Sequence, residues 1–385
     1  MIRITDKSRC SGCSACHAVC PHDAISMIPD ELGFRYPQVD PVRCVECGLC
    51  EAVCSFVPCE GKSEPDALAV RHKDDVEVRA STSGAVFAAL SDYILECGGA
   101  VYGAGFGEHF KVIHKRAVSK EERDEFRKSK YVQSDMGDTF RRVKEDLKSG
   151  IPVLFTGTPC QTAGLKSYIG EKFADKLYLA DIVCHGTPSP EVWDSYLTWH
   201  ESRAGAKAKN VIFRDKSFGW RISRETIVFE DKKVSSRSYN HLFYRNIMMR
   251  ESCGVCPFAS VYRPSDLTMA DYWRKDKTSP EFASDNMGCS LVLSSSEKGR
   301  ELLDKVAEKL YIQEVELKEC LQLNLVRPTT LHPGRKGFAS DFAAHGIEYV
   351  MRRYGDLGWR YKLESMIRSV YQFFRQTARK MIGRR

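Results

Sequence analysis

The chain has 385 residues, 43% hydrophobic and 28% charged, the balance of a water-soluble globular protein with length for two or three domains. No apolar run approaches the roughly 18 residues of a membrane span, and the opening "MIRITDKSRCSGC" lacks the pattern of a secretory signal, so the expected location is the cytoplasm. The net charge of +7 sits in the tail: ten Lys/Arg against Asp356 and Glu364 in residues 352–385 leave the preceding body near −1, which excludes a whole-domain nucleic-acid footprint.

Sixteen cysteines, with no secretory signal, point to metal ligands or redox groups rather than disulfides. Eight of them form two nearly identical blocks, Cys10-x2-Cys13-x2-Cys16-x3-Cys20-Pro21 and Cys44-x2-Cys47-x2-Cys50-x3-Cys54-Ser55. This is the internal repeat of a bacterial two-cluster ferredoxin. Three thiolates two residues apart wrap a tight loop around one iron–sulfur cube, and the fourth sits on a following helical turn that faces the other cube. Cys10, Cys13, Cys16 and Cys54 are therefore expected to hold one [4Fe–4S] cluster, and Cys44, Cys47, Cys50 and Cys20 the other. A zinc ribbon needs four cysteines, not eight in this array. Gly12 and Gly48 read as matching small residues in the two loops; Ser55 stands where Pro commonly follows, and Pro58 takes over the capping. Cys59 reads as a spare thiol.

A polar stretch, "CEGKSEPDA", then reads as a linker. "STSGAVFAALSDYILECGG" (81–99) is a loop feeding a helix that Gly98-Gly99 stop, and "AVYGAGF" (100–106) is a strand. Gly103-x-Gly105-x-Gly107 reads as a turn rather than a dinucleotide fingerprint. "DTFRRVKEDLKSG" (138–150) is an amphipathic helix, "IPVLFTGTPCQ" a buried strand and turn, "TAGLKSYIG" a short helix, and "KLYLADIVCHGTPSP" (176–190) a strand ending in a Cys-His-Gly-Thr-Pro turn. Alternating strands and helices imply a parallel or mixed sheet with ligands at the carboxyl ends of its strands.

Two cysteines, Cys160 and Cys184, sit on such strand-end turns, and Cys253-x2-Cys256 follows in "RESCGVCPF". Four thiolates suffice for a third cubane, but free cysteine is also among the most buried residue types, so the pattern alone leaves both readings open. The tripeptide Thr82-Ser83-Gly84 before a helix suits a pyrophosphate or is simply a helix cap.

Taken together, "STSGAVFAAL", "SKYVQS" (129–134), "LFTGTPCQTAGL" (154–165), "DIVCHGTPSP" (181–190), "RDKSFGW" (214–220) and "RESCGVCPF" with "SDLTMADYW" (265–273) resemble the beta-subunit family of coenzyme F420-reducing hydrogenases and dehydrogenases. The similarity covers about residues 1–340, in the family's order. It implies an FAD-binding α/β domain, one or more [4Fe–4S] clusters and hydride exchange with a flavin-like or small organic partner. By resemblance, Ser81, Thr82, Ser83 and Gly84 form the flavin loop. Lys130, Gln133, Ser134, Thr156, Gly157, Thr158 and Pro159 line the flavin, and Cys160, Cys184, Cys253 and Cys256 are candidate ligands of an inner cluster. Ala85 stands where a second glycine is expected. Relatives with a fused ferredoxin module occur in bacteria without deazaflavin, some beside polysaccharide-biosynthesis functions, so the expected substrate is coenzyme F420 or another small organic compound. Lys130 is the candidate stabiliser of an anionic reduced flavin. His185 is the candidate proton donor, with a purely structural role as the alternative.

The expected fold class is α/β (mixed α+β). A two-[4Fe–4S] ferredoxin domain (1–60) and a linker (61–75) precede a mixed-sheet flavin domain (76–345) and a basic amphipathic helical tail (346–385). The tail either touches an anionic membrane surface peripherally, at the inner face, or docks a partner, with packing on the body as the alternative. The expected function is an iron–sulfur flavoprotein oxidoreductase serving a redox partner protein or a small hydride acceptor. The alternative is a non-catalytic electron-transfer subunit for a partner enzyme.

Overall fold

The computed structural model describes residues 1–59, 61, 63–274, 278–283, 285–359, 361, 363, 366 and 367. The amino-terminal module is built from α1 (Ala15–Val19), the antiparallel strands β1 (Ile25–Pro29) and β2 (Arg35–Val39), and α2 (Leu49–Ala52). Its duplication is written in the backbone. Gly12 and Ser14 in the first loop are left-handed (φ 70° and 68°), as are Glu46 and Gly48 in the second (φ 53° and 77°). Gly12 thus corresponds to Glu46 and Gly48 to Ser14. The expected match of Gly12 with Gly48 is corrected: both loops need the same two left-handed turns, and each places its glycine at a different one.

The larger unit follows with β3 (Asp66–His72), α3 (Val86–Glu96), β4 (Ala100–Phe106), β5 (Val112–Ala117), α4 (Thr139–Lys148), β6 (Val153–Gly157), α5 (Pro159–Ile169), β7 (Leu177–Ile182) and α6 (Pro190–Ala204). A small antiparallel sheet of β8 (Asn210–Ile212), β9 (Glu225–Val228) and β10 (Lys233–Ser236) comes next, then β11 (Leu267–Asp271), β12 (Ser290–Ser294), α7 (Glu297–Lys305), β13 (Leu310–Glu314) and α8 (Arg335–Arg353). Eight strands share one mixed sheet in the order β13-β3-β12-β11-β7-β6-β4-β5. Its centre, β4, β6, β7 and β11, is parallel and the flanks are antiparallel.

Side-chain alternation explains why both faces are covered. On β4, Val101 joins the core formed with α3 and α7, while Tyr102 joins the core formed with α4 and α5; on β6, Leu154 and Phe155 divide in the same way. The second core also contains Ile2, Ala15, Ala18, Ile25 and Val53 of the amino-terminal module. The ferredoxin-type module therefore shares a hydrophobic core with the helices of the larger unit.

Three expectations change. Residues 66–72 lie in the expected linker, yet they form β3, hydrogen-bonded between β12 and β13 and almost wholly buried. An apolar run of only four residues, Ala67–Val70, inside a polar stretch reads as connector until its sheet partners, more than 200 residues away, are known. Gly103 and Gly105 belong to β4 rather than to a turn. At the other boundary, Ile347, Val350 and Met351 are buried, so the body extends past residue 345. Of the apolar stripe expected in the tail, Leu363, Met366 and Ile367 are exposed, and the remaining positions lie outside the described residues. Among the described residues no helix is long and apolar enough to cross a membrane.

Candidate functional site

Three cavities are each framed by four or more cysteines. The outer one, lined wholly by the amino-terminal module, holds Cys20, Cys44, Cys47 and Cys50. The middle one is lined by Cys10, Cys13, Cys16 and Cys54, together with Cys160. The inner one, lined mostly by the larger unit, holds Cys160, Cys184, Cys253 and Cys256. The middle and inner cavities share Ser11, Phe56, Cys160 and Phe258 as common wall.

The local structure explains how each thiol arrives. Cys10, Cys13 and Cys16 come from the left-handed loop before and into α1, and Cys44, Cys47 and Cys50 from its repeat before α2. Cys160 is not in a turn, as its sequence suggested, but in the first turn of α5. Pro159 at the first helical position fits, since its missing N–H would be unsatisfied there anyway, and the Gln161 side chain turns back to accept from the Thr158 N–H (2.9 Å). One turn further along α5, Cys13 Sγ lies 2.8 Å from where a side-chain carbon on Gly164 would stand, so the module's loop rests directly on the helix. Cys184 follows β7 across Val183, whose N–H donates to Met269 O (3.0 Å). Cys253 lies within a single 3-10 turn, Glu251–Val255, which Cys256 caps, and Cys253 Sγ accepts from the Thr187 N–H (3.3 Å).

The thiols fit a polynuclear group better than a single ion. Among the described residues no three His, Cys, Asp or Glu converge tightly enough to hold one metal ion. A zinc site draws its four ligands to a common centre, whereas a cubane takes each thiolate on a different iron and needs them spread around a cavity. Burial pushes the Cys13 and Cys256 thiols up to about 12, and those of Cys160 and Cys184 upward as well. A thiol held neutral by desolvation is a poor nucleophile; a bound metal, by contrast, takes the proton outright.

The residues expected around a flavin have mixed placements. Ser83 Oγ donates to Cys289 O (2.7 Å), Ser290 Oγ accepts from the Gly84 N–H (2.9 Å), and Thr82 Oγ1 accepts from the Ser129 N–H (3.1 Å). The 81–84 loop is thus fastened to the start of β12 and to the 129–134 segment. Ser81 is buried, and its carbonyl, with that of Val78, accepts from Lys216 Nζ. Ala85, where a glycine was expected, takes the left-handed conformation (φ 64°) that glycine adopts freely, and no side chain caps the helix it introduces. Thr156 Oγ1 donates to Tyr102 O, and Ser134 Oγ accepts from Gln161 Nε2. Gly157 ends β6 beside them and Pro159 lines the inner cavity.

Gln133 reaches across to the amino-terminal module. Its amide donates to Ser11 O (3.0 Å) and accepts from Arg250 (3.0 Å), so it faces the amino-terminal module. Lys130 is partly buried, donates to Arg127 O (3.0 Å) and lies 5.3 Å from the centre of the Phe106 ring. Desolvation brings its pKa down to about 7. His185 lines the inner cavity and bonds Asn246 Oδ1 (2.7 Å), while burial holds its pKa below the usual imidazole value.

Sequence reading missed two neighbours of these groups. His114, on β5, stacks on Phe155 and bonds Thr156 O through Nε2 (3.1 Å), while its buried Nδ1 has no partner among the described residues. Burial brings its pKa down to about 4. Arg250 precedes the Cys253 pair by three residues and is 1% exposed. A histidine within an ordinary strand and an arginine outside the cysteine spacing carry no motif signal.

The low pKa of Lys130 has a measurable consequence. An unfolded lysine titrates near about 10.4, so between about pH 7 and that value the unfolded chain binds more protons, and stability rises with pH. Lys130→Met is expected to flatten that rise and to exceed the wild type in stability at pH 7. Urea midpoints at pH 7 and pH 9 check it; an equal rise in both proteins would remove the buried-ammonium account.

Residues 152–319 match the model of the family described as the C terminus of the coenzyme F420 hydrogenase/dehydrogenase beta subunit, and residues 9–56 match the 4Fe–4S dicluster domain. No match was found among curated proteins. Among solved structures, a chain of the F420-reducing [NiFe] hydrogenase complex from Methanosarcina barkeri aligns with 75% of this chain and 90% of its own length, at 18% identity and a TM-score of 0.48.

Proposed function

From the match of residues 152–319 to the coenzyme F420 hydrogenase/dehydrogenase beta-subunit family and of residues 9–56 to the 4Fe–4S dicluster domain, we propose that this protein is an iron–sulfur flavoprotein oxidoreductase. Its cysteines would hold three clusters and its 81–84 loop would seat FAD, which together would supply electron relay and hydride exchange with coenzyme F420 or another small organic substrate. The observation that carries the reading is the set of three cysteine-framed cavities, two of which share Cys160, Ser11, Phe56 and Phe258 as common lining.

In this reading Cys20, Cys44, Cys47 and Cys50 hold the outer cluster, and Cys10, Cys13, Cys16 and Cys54 hold the middle one. Cys160, Cys184, Cys253 and Cys256 hold the inner one. Residues 1–60 serve as the ferredoxin domain, docked on the flavin domain through their common core rather than tethered to it. The uncapped amino terminus of α3, with its dipole and first N–H groups free of side-chain partners, supports a pyrophosphate seat beside Ser81–Gly84. When bound, FAD supplies the junction between single-electron carriers and two-electron hydride chemistry. Lys130, poised near neutrality, would place positive charge beside the reduced ring. His185, held neutral and bonded to Asn246, suits orientation of the 184–187 loop better than proton donation.

Anaerobic purification with iron, sulfide and flavin counting tests the whole. About twelve irons and one flavin per chain are expected; about eight irons would leave only the ferredoxin clusters. Absence of flavin would sink the flavoprotein claim. The second reading, an electron-transfer subunit handing electrons to a partner enzyme, is favoured by the placement of the outer cavity on the module's surface, where Cys47 is exposed. Purified chain that takes up electrons but reduces neither a deazaflavin analogue nor a dye would support it.

A further inference from the structure

We propose that Arg250 is a positioning residue for electron transfer: its buried charge balances the middle cluster, framed by Cys10, and raises that cluster's reduction potential. The inference rests on the cluster reading above and adds a residue outside the ligand set.

The guanidinium is enclosed in the seam between the amino-terminal module and the larger unit. Nε donates to Cys10 O (2.8 Å), Nη1 to Gln133 Oε1 (3.0 Å) and Nη2 to Arg35 O (2.9 Å), while Cys10 Sγ lies 3.7 Å from Nη2. The Tyr36 ring lies beneath it, 4.1 Å from its centre. Gly12 makes room for it, since a side-chain carbon there would stand 2.9 Å from Nη1. All of these partners are neutral, and among the described residues no carboxylate pairs with it. A buried charge without a counter-ion is strongly disfavoured, so the site is built for an anion close by. The thiolates that a cubane requires at Cys10, Cys13 and Cys16 supply one, and the cluster gains a further electron each time it is reduced.

A fixed positive charge and a donor directed at a ligand sulfur both favour the reduced cluster, because net charge and hydrogen bonds to sulfur set the potential. Arg250 also ties this cluster to the inner one. Its N–H donates to Thr187 O (3.0 Å), and its carbonyl accepts from the Cys253 N–H (3.1 Å) at the start of the turn that carries Cys253.

The test is potentiometric titration of the loaded, full-length protein followed by electron paramagnetic resonance. In Arg250→Gln, the reduced-to-oxidised ratio of the middle cluster at fixed potential should fall about tenfold, equivalent to ~59 mV for a one-electron couple; the outer cluster should not move, and the inner one, bonded to Arg250 through the Cys253 N–H, should move less. Arg250→Lys should recover most of the loss. If Arg250→Gln does not load, Gln133→Glu sets a carboxylate against the intact guanidinium and should lower the same potential. Unmoved potentials in a fully loaded variant would overturn the proposal, leaving Arg250 a fastener only. Iron counts on the same wild-type samples separate the two failures, because fewer than about eight irons would break the cluster reading itself.

Discussion

Cys184→Ser is expected, on the three-cluster proposal, to lower the iron count from about twelve to about eight while leaving the spectra of the two ferredoxin clusters in place. Cys184 lines the inner cavity alone, so its loss should register there and nowhere else. Cys160 is the informative comparison, because it lines both the inner and the middle cavity. If it serves the inner cluster, Cys160→Ser should remove the same irons and the same signal as Cys184→Ser. Loss of a ferredoxin signal instead would assign it to the middle cluster, where Cys54, exposed on the module surface, is expected as fourth ligand. Unchanged iron in both variants would mean that these thiols only pack beneath the site.

The second large effect lies just under the inner cavity. Arg263 and Asp181 are 1% and 0% exposed, and their nearest charged atoms are 3.3 Å apart. The guanidinium also donates to Ile182 O and Phe258 O, so one side chain holds the end of β7, which leads to Cys184, against the segment that follows Cys256. Arg263→Met should cost about 3–5 kcal/mol, since it strands a buried carboxylate. Burial already pushes the Asp181 carboxyl upward in spite of Arg263, with Ser265 Oγ donating to it at 3.0 Å. Without the arginine the carboxyl rises further, so protonation relieves the variant and its deficit should narrow as pH falls. Adding Asp181→Asn should restore part of the loss at neutral pH. Denaturant midpoints across pH measure all three, and iron counts should fall with stability. A deficit below about 1 kcal/mol, as for an exposed pair, would sink this account.

How much was legible follows from where each signal resides. The cysteine repeat could be read directly because cluster ligation is local: short loops impose fixed spacings, and those spacings survive in the sequence. The strand-end turns were legible for a similar reason, as Gly, Thr and Pro mark where a buried strand must stop. The partners of Gln133 were not legible, since its neighbours along the chain resemble the flavin segment while Ser11 and Arg250, which it bonds, come from distant segments. β3 was hidden because its partners β12 and β13 lie at the other end of the chain.

By itself, then, the sequence determined the chemistry available: eight ferredoxin cysteines, four more thiols, two of them just past strand ends, and an α/β pattern to carry them. Only the tertiary structure decided which thiols line one cavity. It brought Cys160 and Cys184, just past the ends of the neighbouring parallel strands β6 and β7, to the Cys253 turn, set the amino-terminal module on α5 through a common core, and closed the seam over Arg250. The physical reason is that spacing constrains ligands within a loop, whereas packing across the sheet and burial of apolar surface fix the distances between loops.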